Sequence, residues 1–559
     1  MVEHIESIKD SIILIFEDLG LLFFTALVFT LLLTPASISL AEKIGAMDTP
    51  NDRSVHVRIM PRMGGLGMAI SVVVSLFLFV EMNHVIVAFL AGTLIVITVG
   101  MLDDLFQIRP LYKMAGQILA CSVFLYVSEL QITSLGNLLG MGVFDFYQPW
   151  SFLLTLFCML GVINAFNLSD GLDGLAAGLT LIASLFMAAL ALLSGNWEAL
   201  FVIVAVIGAT FAFLKFNSFP AKLFMGDTGS LSLGFFMACL IVFLVAPEHG
   251  NMIEPITLAL ILGLPITDTL LVMTRRILRG KSPASADKTH FHHRLLGLGF
   301  SHALVVIIIY VLAAGLGVLA LGLYTQPAWV QLVLGLLYCF SFYGLLMEFE
   351  RRSIDFSKIH FLQQAPLTIT HQVGKSLKGL RYVILIGLLA PLFFVHSSPA
   401  EVHNVLLGVF VLLLLAYPWR EHTERLNIVY GLFYLSGLTI LYVWNISTYD
   451  GFSLSWYTLA FVIILSGWSV LKIVFKGHRE VFLTSGLEVI LIFVSWFVPY
   501  ALLPVLNVSA EVLVAVKMSC LQAIPLFIAM KIVIRRHPDR NYMFISGIIG
   551  ILLLMLVLL

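Results

Sequence analysis

The sequence predicts an all-α, polytopic integral membrane protein. Of its 559 residues 60% are hydrophobic and only 11% charged. Apolar runs longer than the ~18 residues a membrane helix needs recur from end to end. The alternating segments of about ten residues that mark a membrane barrel are missing. Counted as runs of about 17–25 residues, roughly eleven spans precede residue 350 and roughly seven follow residue 380, about 18 in all. Residues 1–355 are thus expected to form one membrane-embedded domain, 356–380 a polar connection, and 381–559 a second membrane domain.

The first twenty residues, MVEHIESIKDSIILIFEDLG, mix acidic with apolar side chains and lack a basic start and a small-residue cleavage site. A cleaved signal peptide is therefore not expected. The connections that follow alternate in charge. Those at 43–63 (Lys43, Arg53, Arg58, Arg62), 103–113 (Arg109, Lys113), 275–294 (Arg275, Arg276, Arg279, Lys281, Lys288, Arg294) and 351–381 are basic, whereas 81–84, 195–198, 247–254 and 325–329 contain no Lys or Arg. The positive-inside rule puts the basic set in the cytoplasm and the N-terminus outside. YPWREHTER, KGHRE and RRHPDR continue the alternation, so the C-terminus is also expected outside. The stretch 351-RRSIDFSKIHFLQQAPLTITHQVGKSLKGLR-381 separates the two domains and is polar enough to lie partly along the membrane surface.

A formal net charge of −1 gives no reason to expect a nucleic acid as partner. The five cysteines lie in apolar segments without a CxxC pair, which reads as core packing. Chemistry is concentrated elsewhere. In 161-GVINAFNLSDGLDGLAAGL-179, Asn164, Asn167, Asp170 and Asp173 recur every third residue at the expected cytoplasmic end of a span. Steps of three drift by about 60° each around an ideal helix, so one straight helix cannot aim all four at one place. The chain is expected to bend at Gly171 and Gly174, with Asn164 and Asn167 finishing a helix and DGLDGL turning at the membrane surface.

The other polar clusters fall on the same side: 101-MLDDLFQIRPLYKMAGQ-117, 224-FMGDTGSLSLG-234 and 285-SADKTHFHHRLLGLG-299, with 47-MDTPNDRSVHVRIMPRMGG-65 upstream. Gathering Asp103, Asp104, Asp170, Asp173 and Asp227 at one site requires a cation or protons between them. Mg²⁺ suits such oxygens. It takes one or two protein carboxylates and completes its shell with water and substrate phosphates, and Mn²⁺ would serve in its place. Lys113, Arg276, His290, His292 and His293 are the matching donors for phosphate oxygens.

The motifs DD at 103–104, NxxNxxDGLDGLA at 164–176, FxGDxGS at 224–230, PxxD at 265–268 and DKTHFHHRL at 287–295 occur in that order between apolar spans. Together they resemble the polyprenyl-phosphate N-acetylhexosamine-1-phosphate transferases over about residues 20–350. The histidine motif and the R-S-x-H loop are closer to the bacterial enzymes that start O-antigen and related glycans from UDP-GlcNAc than to the translocase using UDP-MurNAc-pentapeptide. The resemblance implies transfer of N-acetylhexosamine 1-phosphate, GlcNAc first among candidates, from a UDP-sugar to undecaprenyl phosphate, releasing UMP. This would be the first membrane step of a cell-envelope glycan, at the cytoplasmic face of a bacterial inner membrane. It further implies that Asp227 is the leading Mg²⁺ ligand, with Asp170 and Asp103 as further candidates. Asp103 and Asp104 would position the acceptor phosphate or the metal. Asn167, Asp170 and Asp173 would bind nucleotide or metal, with Asn164 beside them. His290, His292, His293 and Arg294 would hold the diphosphate, with Lys113 and Arg276 as further substrate contacts. A homodimer is compatible with this reading.

The second pKa of a phosphate monoester is near 6, so the acceptor is already mostly a dianion at neutral pH. Direct in-line attack on the sugar-bearing phosphorus is therefore expected, in preference to Asp103 as a covalent nucleophile within a carboxylate cluster. Plainer readings stand beside these. Asp103–Asp104 alone could be a solvated helix end, a reading the other motifs weaken; Lys113 could be a side chain snorkelling to headgroups, the histidines zinc ligands lacking a fourth, and Asp268 half of a structural pair. The rival function is a transporter or flippase, whose ionisable groups usually sit near mid-membrane. In the second domain Glu488 and Lys517 fall inside apparent spans and are candidates for function or pairing.

Overall fold

The structure is a computed structural model. It describes residues 2–48, 59–246, 253–280 and 289–356, and scattered positions at 395–397, 448–449, 493–500 and 513–520. Two units are distinguished, Met1–Lys358 with Ser485–Ile490, and Ile359–Thr484 with Leu491–Leu559.

The first unit is helical. α1 (Val2–Ile44) leads into a two-residue ladder, β1 (Met47–Asp48) antiparallel to β2 (Met60–Pro61). Then come α2 (Gly64–Phe79), α3 (His84–Phe106), α4 (Pro110–Ser128), α5 (Trp150–Ser169), α6 (Leu175–Ser194), α7 (Trp197–Asn217) and α8 (Gly226–Val245). α9 (Pro255–Ile261), α10 (Gly263–Leu278), α11 (Phe291–Gly297), α12 (His302–Leu323) and α13 (Ala328–Arg351) complete it. In the second unit β3 (Val395–Ser397) pairs antiparallel with β4 (Thr448–Tyr449), and the Lys517 ammonium lies 5.3 Å from the Tyr500 ring centroid.

Among the described residues nine helices are long and apolar enough to cross a membrane. The eleven spans expected before residue 350 differ in two places. α2 has only 16 residues, and α9 and α10 meet at an 83° bend. The bend falls between Pro255 at the start of α9 and Pro265 near the start of α10, with Gly263 at the joint. Proline and glycine there interrupt the continuous ladder a straight span needs. Most of the region assigned to the later spans, Glu488 included, lies outside the described residues, as does most of the 356–380 connection.

α6 and α8 form the centre, each 94% enclosed over its most apolar stretch, whereas α1 and α13 are 28% enclosed. A helix apolar on every side belongs inside a bundle, and in lipid close packing does the work that water expulsion does elsewhere. α6 presents Ala176, Ala177, Gly178 and Ser184, side chains small enough for close approach. Phe89 of α3, Phe124 of α4 and Phe235, Phe236 and Phe243 of α8 interlock with ring centroids 5.4–6.2 Å apart, fastening α3 and α4 to α8. At one end of the bundle Asn83 caps α3 and Asn196 caps α7, and Asn83 Nδ2 donates to Glu198 Oε1 at 2.6 Å. The motif-bearing ends of α3, α4, α5 and α8 lie at the other.

α2 and α8 touch through their backbones: a Cβ on Gly65 would lie 2.0 Å from Gly229 Cα, whereas one on Gly161 of α5 would meet nothing within 4 Å. Gly65→Ala is expected to cost roughly 1–3 kcal/mol, or more because backbone must move, and Gly161→Ala nothing. Thermal unfolding of the two variants in detergent checks the contrast.

Candidate active site

The motifs converge on an open cavity of about 910 Å³. Its wall carries Asp104 from α3, Lys113 from α4, Asn167 from α5 and Asp227 and Ser230 from α8, with Asp170 and Asp173 from the α5–α6 turn, His293 from α11, His302 from α12, and Asp48 and Arg62 from the β1–β2 ladder. A second cavity, about 610 Å³, is lined by aromatic residues such as Phe144, Tyr147 and Trp150 at the opposite end of α5. Its lining holds one carboxylate, Asp145, and no Lys, Arg or His.

The adjacent carboxylates of the DD pair divide their work. Successive residues on a helix point about 100° apart. Asp104 turns inward and caps α8: Oδ1 accepts from Asp227 N at 2.8 Å, and Oδ2 from Thr228 N at 3.0 Å and Thr228 Oγ1 at 2.6 Å. A carboxylate at a helix N-terminus satisfies orphan donors and faces the positive end of the dipole. Gly226 makes the approach possible: it has φ +71°, and a Cβ there would lie 1.9 Å from Arg62 O and 2.7 Å from Asp104 Oδ2. Asp103 faces Lys113, whose Nζ lies 3.1 Å from Asp103 Oδ2, pairs closely with Asp227 Oδ1 and donates to Asn167 Oδ1 at 3.3 Å. Asn167 Nδ2 in turn donates to Asp227 Oδ1 at 2.7 Å and Ser230 Oγ at 2.8 Å. Asp227 is thus gripped from two helices by one ammonium and one amide.

The DGLDGL segment bends as its glycines predict. α5 ends at Ser169, Asp170 follows it, and Gly174 with φ +79° starts α6. Asn217 Oδ1 accepts from Gly174 N at 3.0 Å, and Tyr310 OH donates to Gly174 O at 2.6 Å. Asp173 is structural as well as cavity-lining: its N–H donates to His302 Nε2 at 3.0 Å and its Oδ2 accepts from Ala221 N at 3.0 Å. Asp170 alone of these carboxylates makes no hydrogen bond to another described residue. Although it borders the cavity, protein surrounds it, and desolvation followed by the charges of Asp227, Asp104 and Asp173 pushes its pKa up to about 8.

Several expected site residues lie elsewhere. Asn164 is not on the cavity wall; its Nδ2 donates to Gln117 Oε1 at 2.9 Å and Leu160 O at 2.8 Å. Arg294 makes a bidentate pair with Glu350 of α13, at 2.8 and 2.7 Å, so its fork is engaged away from any diphosphate. Arg276 is buried and does not line the cavity. His290 Nδ1 is 2.8 Å from Asp268 Oδ2, while Asp268 Oδ1 accepts from Phe291 N at 2.9 Å and Tyr343 OH at 3.2 Å. Of the three histidines only His293 lines the cavity. His292 packs behind it against the turn, so close that a Cβ on Gly171 would be 2.3 Å from its Nε2. Burial, then His293, lowers its pKa to about 3, so His292 is neutral. Arg53, Arg58, Lys281, Lys288 and the R-S-x-H loop lie outside the described residues.

Among the described residues no group of three or more His, Cys, Asp or Glu side chains is arranged to hold a metal ion. Asp103, Asp170 and Asp227 therefore do not form a ready-made three-ligand cage; the Lys113 ammonium lies between Asp103 and Asp227 instead and offsets one of their two charges. The donors still fit a hard cation that asks for only one or two protein carboxylates and fills its shell from a substrate, since Asp170 is uncommitted beside Asp227 on the cavity wall.

Sequence reasoning missed Asn217, Tyr310, His302 and Gln117. Asn217 had a readable signal, an amide at the motif-bearing end of a span. Tyr310 and Gln117 had none, because a lone polar residue inside an apolar run does not disclose its partner.

The glycosyl transferase family 4 profile matches residues 86–245. Curated relatives extend the similarity. The Bacillus subtilis protein named probable undecaprenyl-phosphate N-acetylglucosaminyl 1-phosphate transferase is 36% identical over 318 residues, 56% of this chain and 86% of that protein. Decaprenyl-phosphate N-acetylglucosaminephosphotransferase of Mycolicibacterium smegmatis is 34% identical over 371 residues, 61% of this chain and 90% of its own length. Undecaprenyl-phosphate alpha-N-acetylglucosaminyl 1-phosphate transferase of Escherichia coli K12 is 31% identical over 332 residues, 57% and 88% of the two chains.

Raising a folded-state carboxyl pKa favours the folded protein at low pH, and the advantage is lost as pH rises through the folded value. In metal-free buffer Asp170→Asn should therefore stabilise the protein more at pH 8 than at pH 5. Melting temperatures of both proteins across pH 4–9 measure the difference, which vanishes if Asp170 titrates normally.

Proposed function

We propose, from the premise that this chain belongs to glycosyl transferase family 4, that it transfers N-acetylglucosamine 1-phosphate from UDP-GlcNAc to undecaprenyl phosphate. The products are the polyprenyl-diphosphate sugar and UMP. The supporting observation is the convergence of Lys113, Asn167, Asp170 and Asp227, drawn from three helices and one turn, on a cavity at one end of the bundle. A polyprenyl acceptor keeps its tail in lipid, so its phosphate can meet a soluble nucleotide sugar only at such an end. A transporter would instead place ionisable groups near mid-membrane. The excess of Lys and Arg in the connections at this end supports a cytoplasmic orientation, with the N-terminus outside, in a bacterial cytoplasmic membrane.

Each side chain has a task in this reading. The acceptor phosphate arrives mostly as a dianion and attacks the sugar-bearing phosphorus directly, so no residue need remove a proton. Lys113, paired with Asp103 and Asp227, and Arg62, paired with Asp48, bring cationic donors to the cavity wall, and His293 adds an imidazole. Asn167 orients Asp227, and Asp104 holds the first turn of α8 so that Asp227 faces the cavity. Asp227 and Asp170, with Asp103 nearby, would hold Mg²⁺ or Mn²⁺. The ion, when bound, supplies charge neutralisation for the diphosphate and the departing UMP. Asp268, Arg294 and Glu350 act from behind, holding the histidine segment in place.

UMP release in detergent from UDP-GlcNAc, Mg²⁺ and undecaprenyl phosphate tests the proposal. Asp227→Asn is expected to lower turnover by about a hundredfold or more while leaving the melting temperature near wild type. Normal turnover by that variant would remove Asp227 from the chemistry. Absence of UMP release by the wild type across a panel of UDP-sugars would sink the transferase reading.

A further inference from the structure

Below the cavity, α4 and α5 carry a second polar contact on the same faces as the first. Lys113 and Gln117 are four residues apart on α4, and Asn164 and Asn167 three apart on α5. Both spacings put the pair on one helix face. The contacts form two rungs: Lys113 Nζ to Asn167 Oδ1 at 3.3 Å, and Asn164 Nδ2 to Gln117 Oε1 at 2.9 Å. The upper rung continues into α8 through Asn167 Nδ2, which reaches Asp227 Oδ1 at 2.7 Å and Ser230 Oγ at 2.8 Å. Gln117 is 1% exposed, and neither it nor Asn164 lines the cavity.

We infer that Gln117 and Asn164 are positioning residues, a lower rung that fixes the register of α4 against α5 and thereby holds Lys113 at Asp227. In lipid, apolar ridges on two helices can slide or rotate past one another with little change in contact, because the surrounding chains are as apolar as the side chains. An interhelical amide bond is directional and tolerates neither motion. Lys113 requires that constraint. Its four-carbon stem is flexible, and its ammonium has three oxygens to satisfy on α3, α5 and α8. A turn of α4 by one residue would carry Nζ out of reach of all three. The lower rung, one helical turn away, removes that freedom without occupying space that substrate needs.

This inference deepens the transferase reading and rests on it for one of its two measurements. Gln117→Leu, Asn164→Leu and the double variant are made in the full-length protein. Removing both partners of a buried amide pair is nearly neutral for stability when the replacements pack as well, whereas removing one strands the other. The double variant should therefore melt close to wild type. Its kcat should nonetheless fall about tenfold, with KM for UDP-GlcNAc changed less than about twofold, because Lys113 loses its fixed place at Asp227 while the other residues of the cavity wall keep theirs. The second measurement needs no turnover: the rate at which a small amine-reactive reagent labels Lys113, followed by mass spectrometry, should rise several-fold in the double variant. A merely structural rung predicts that the double variant recovers both kcat and slow labelling. That outcome would overturn the inference. If the wild type releases no UMP, the transferase reading falls and the labelling rate alone decides the lower rung.

Discussion

Everything at the cavity depends on the capping of α8 by Asp104. Burying a carboxylate among membrane helices is costly unless its charge is met, and here three donors from the first turn of α8 meet it. The bond locks α3 to α8 at the depth where Asp103 and Asp227 both reach the Lys113 ammonium. Lys113 can then bridge the two from α4. Without that lock, two acids on separate helices would repel and drift apart. The tight glycine at 226 and the phenylalanine cluster below serve the same end, one by admitting the carboxylate and the other by holding the three helices together deeper in the bundle.

The cavity is consequently asymmetric in charge. One wall is built around Asp227 and closed by Lys113 and Asn167. The DGLDGL turn beside it leaves the Asp170 side chain without a hydrogen bond to another described residue and holds its proton up to a pH of about 8. Tyr310, Asn217 and His302 keep that turn in place through its backbone and spend little of its side-chain chemistry. The arrangement separates residues that hold shape from residues available to a ligand, although both kinds share one short motif.

Fold class and site location were legible in the sequence for definite reasons. Long apolar runs have one structural solution in lipid, and the spacing of Asn164 to Asp173 is incompatible with one straight helix, so the bend at Gly171 and Gly174 could be argued before any coordinates. Roles within the clusters were less legible. Asp103 and Asp104 look alike in sequence, and only the 100° between them decides which faces inward. Arg294 was expected at a phosphate because guanidinium groups suit phosphates; its actual partner is 56 residues away, at a distance periodicity does not report. Asn164 shared a motif with Asn167 yet found Gln117, whose apolar neighbours concealed it. The break between α9 and α10 was signalled by Pro255, Gly263 and Pro265, but the apolar run across them reads as one span.

The Arg294–Glu350 fork has a consequence for where the catalytic module ends. α13 lies at the rim of the bundle, and by its modest enclosure it would pass for a dispensable final segment. Yet Glu350, one residue from its end, anchors the short histidine helix, and Tyr343 on the same helix reaches Asp268. A chain shortened ahead of residue 350 would keep its carboxylates and its lysine while the imidazole face came loose. A peripheral helix thus carries two of the contacts that hold the histidine segment in place.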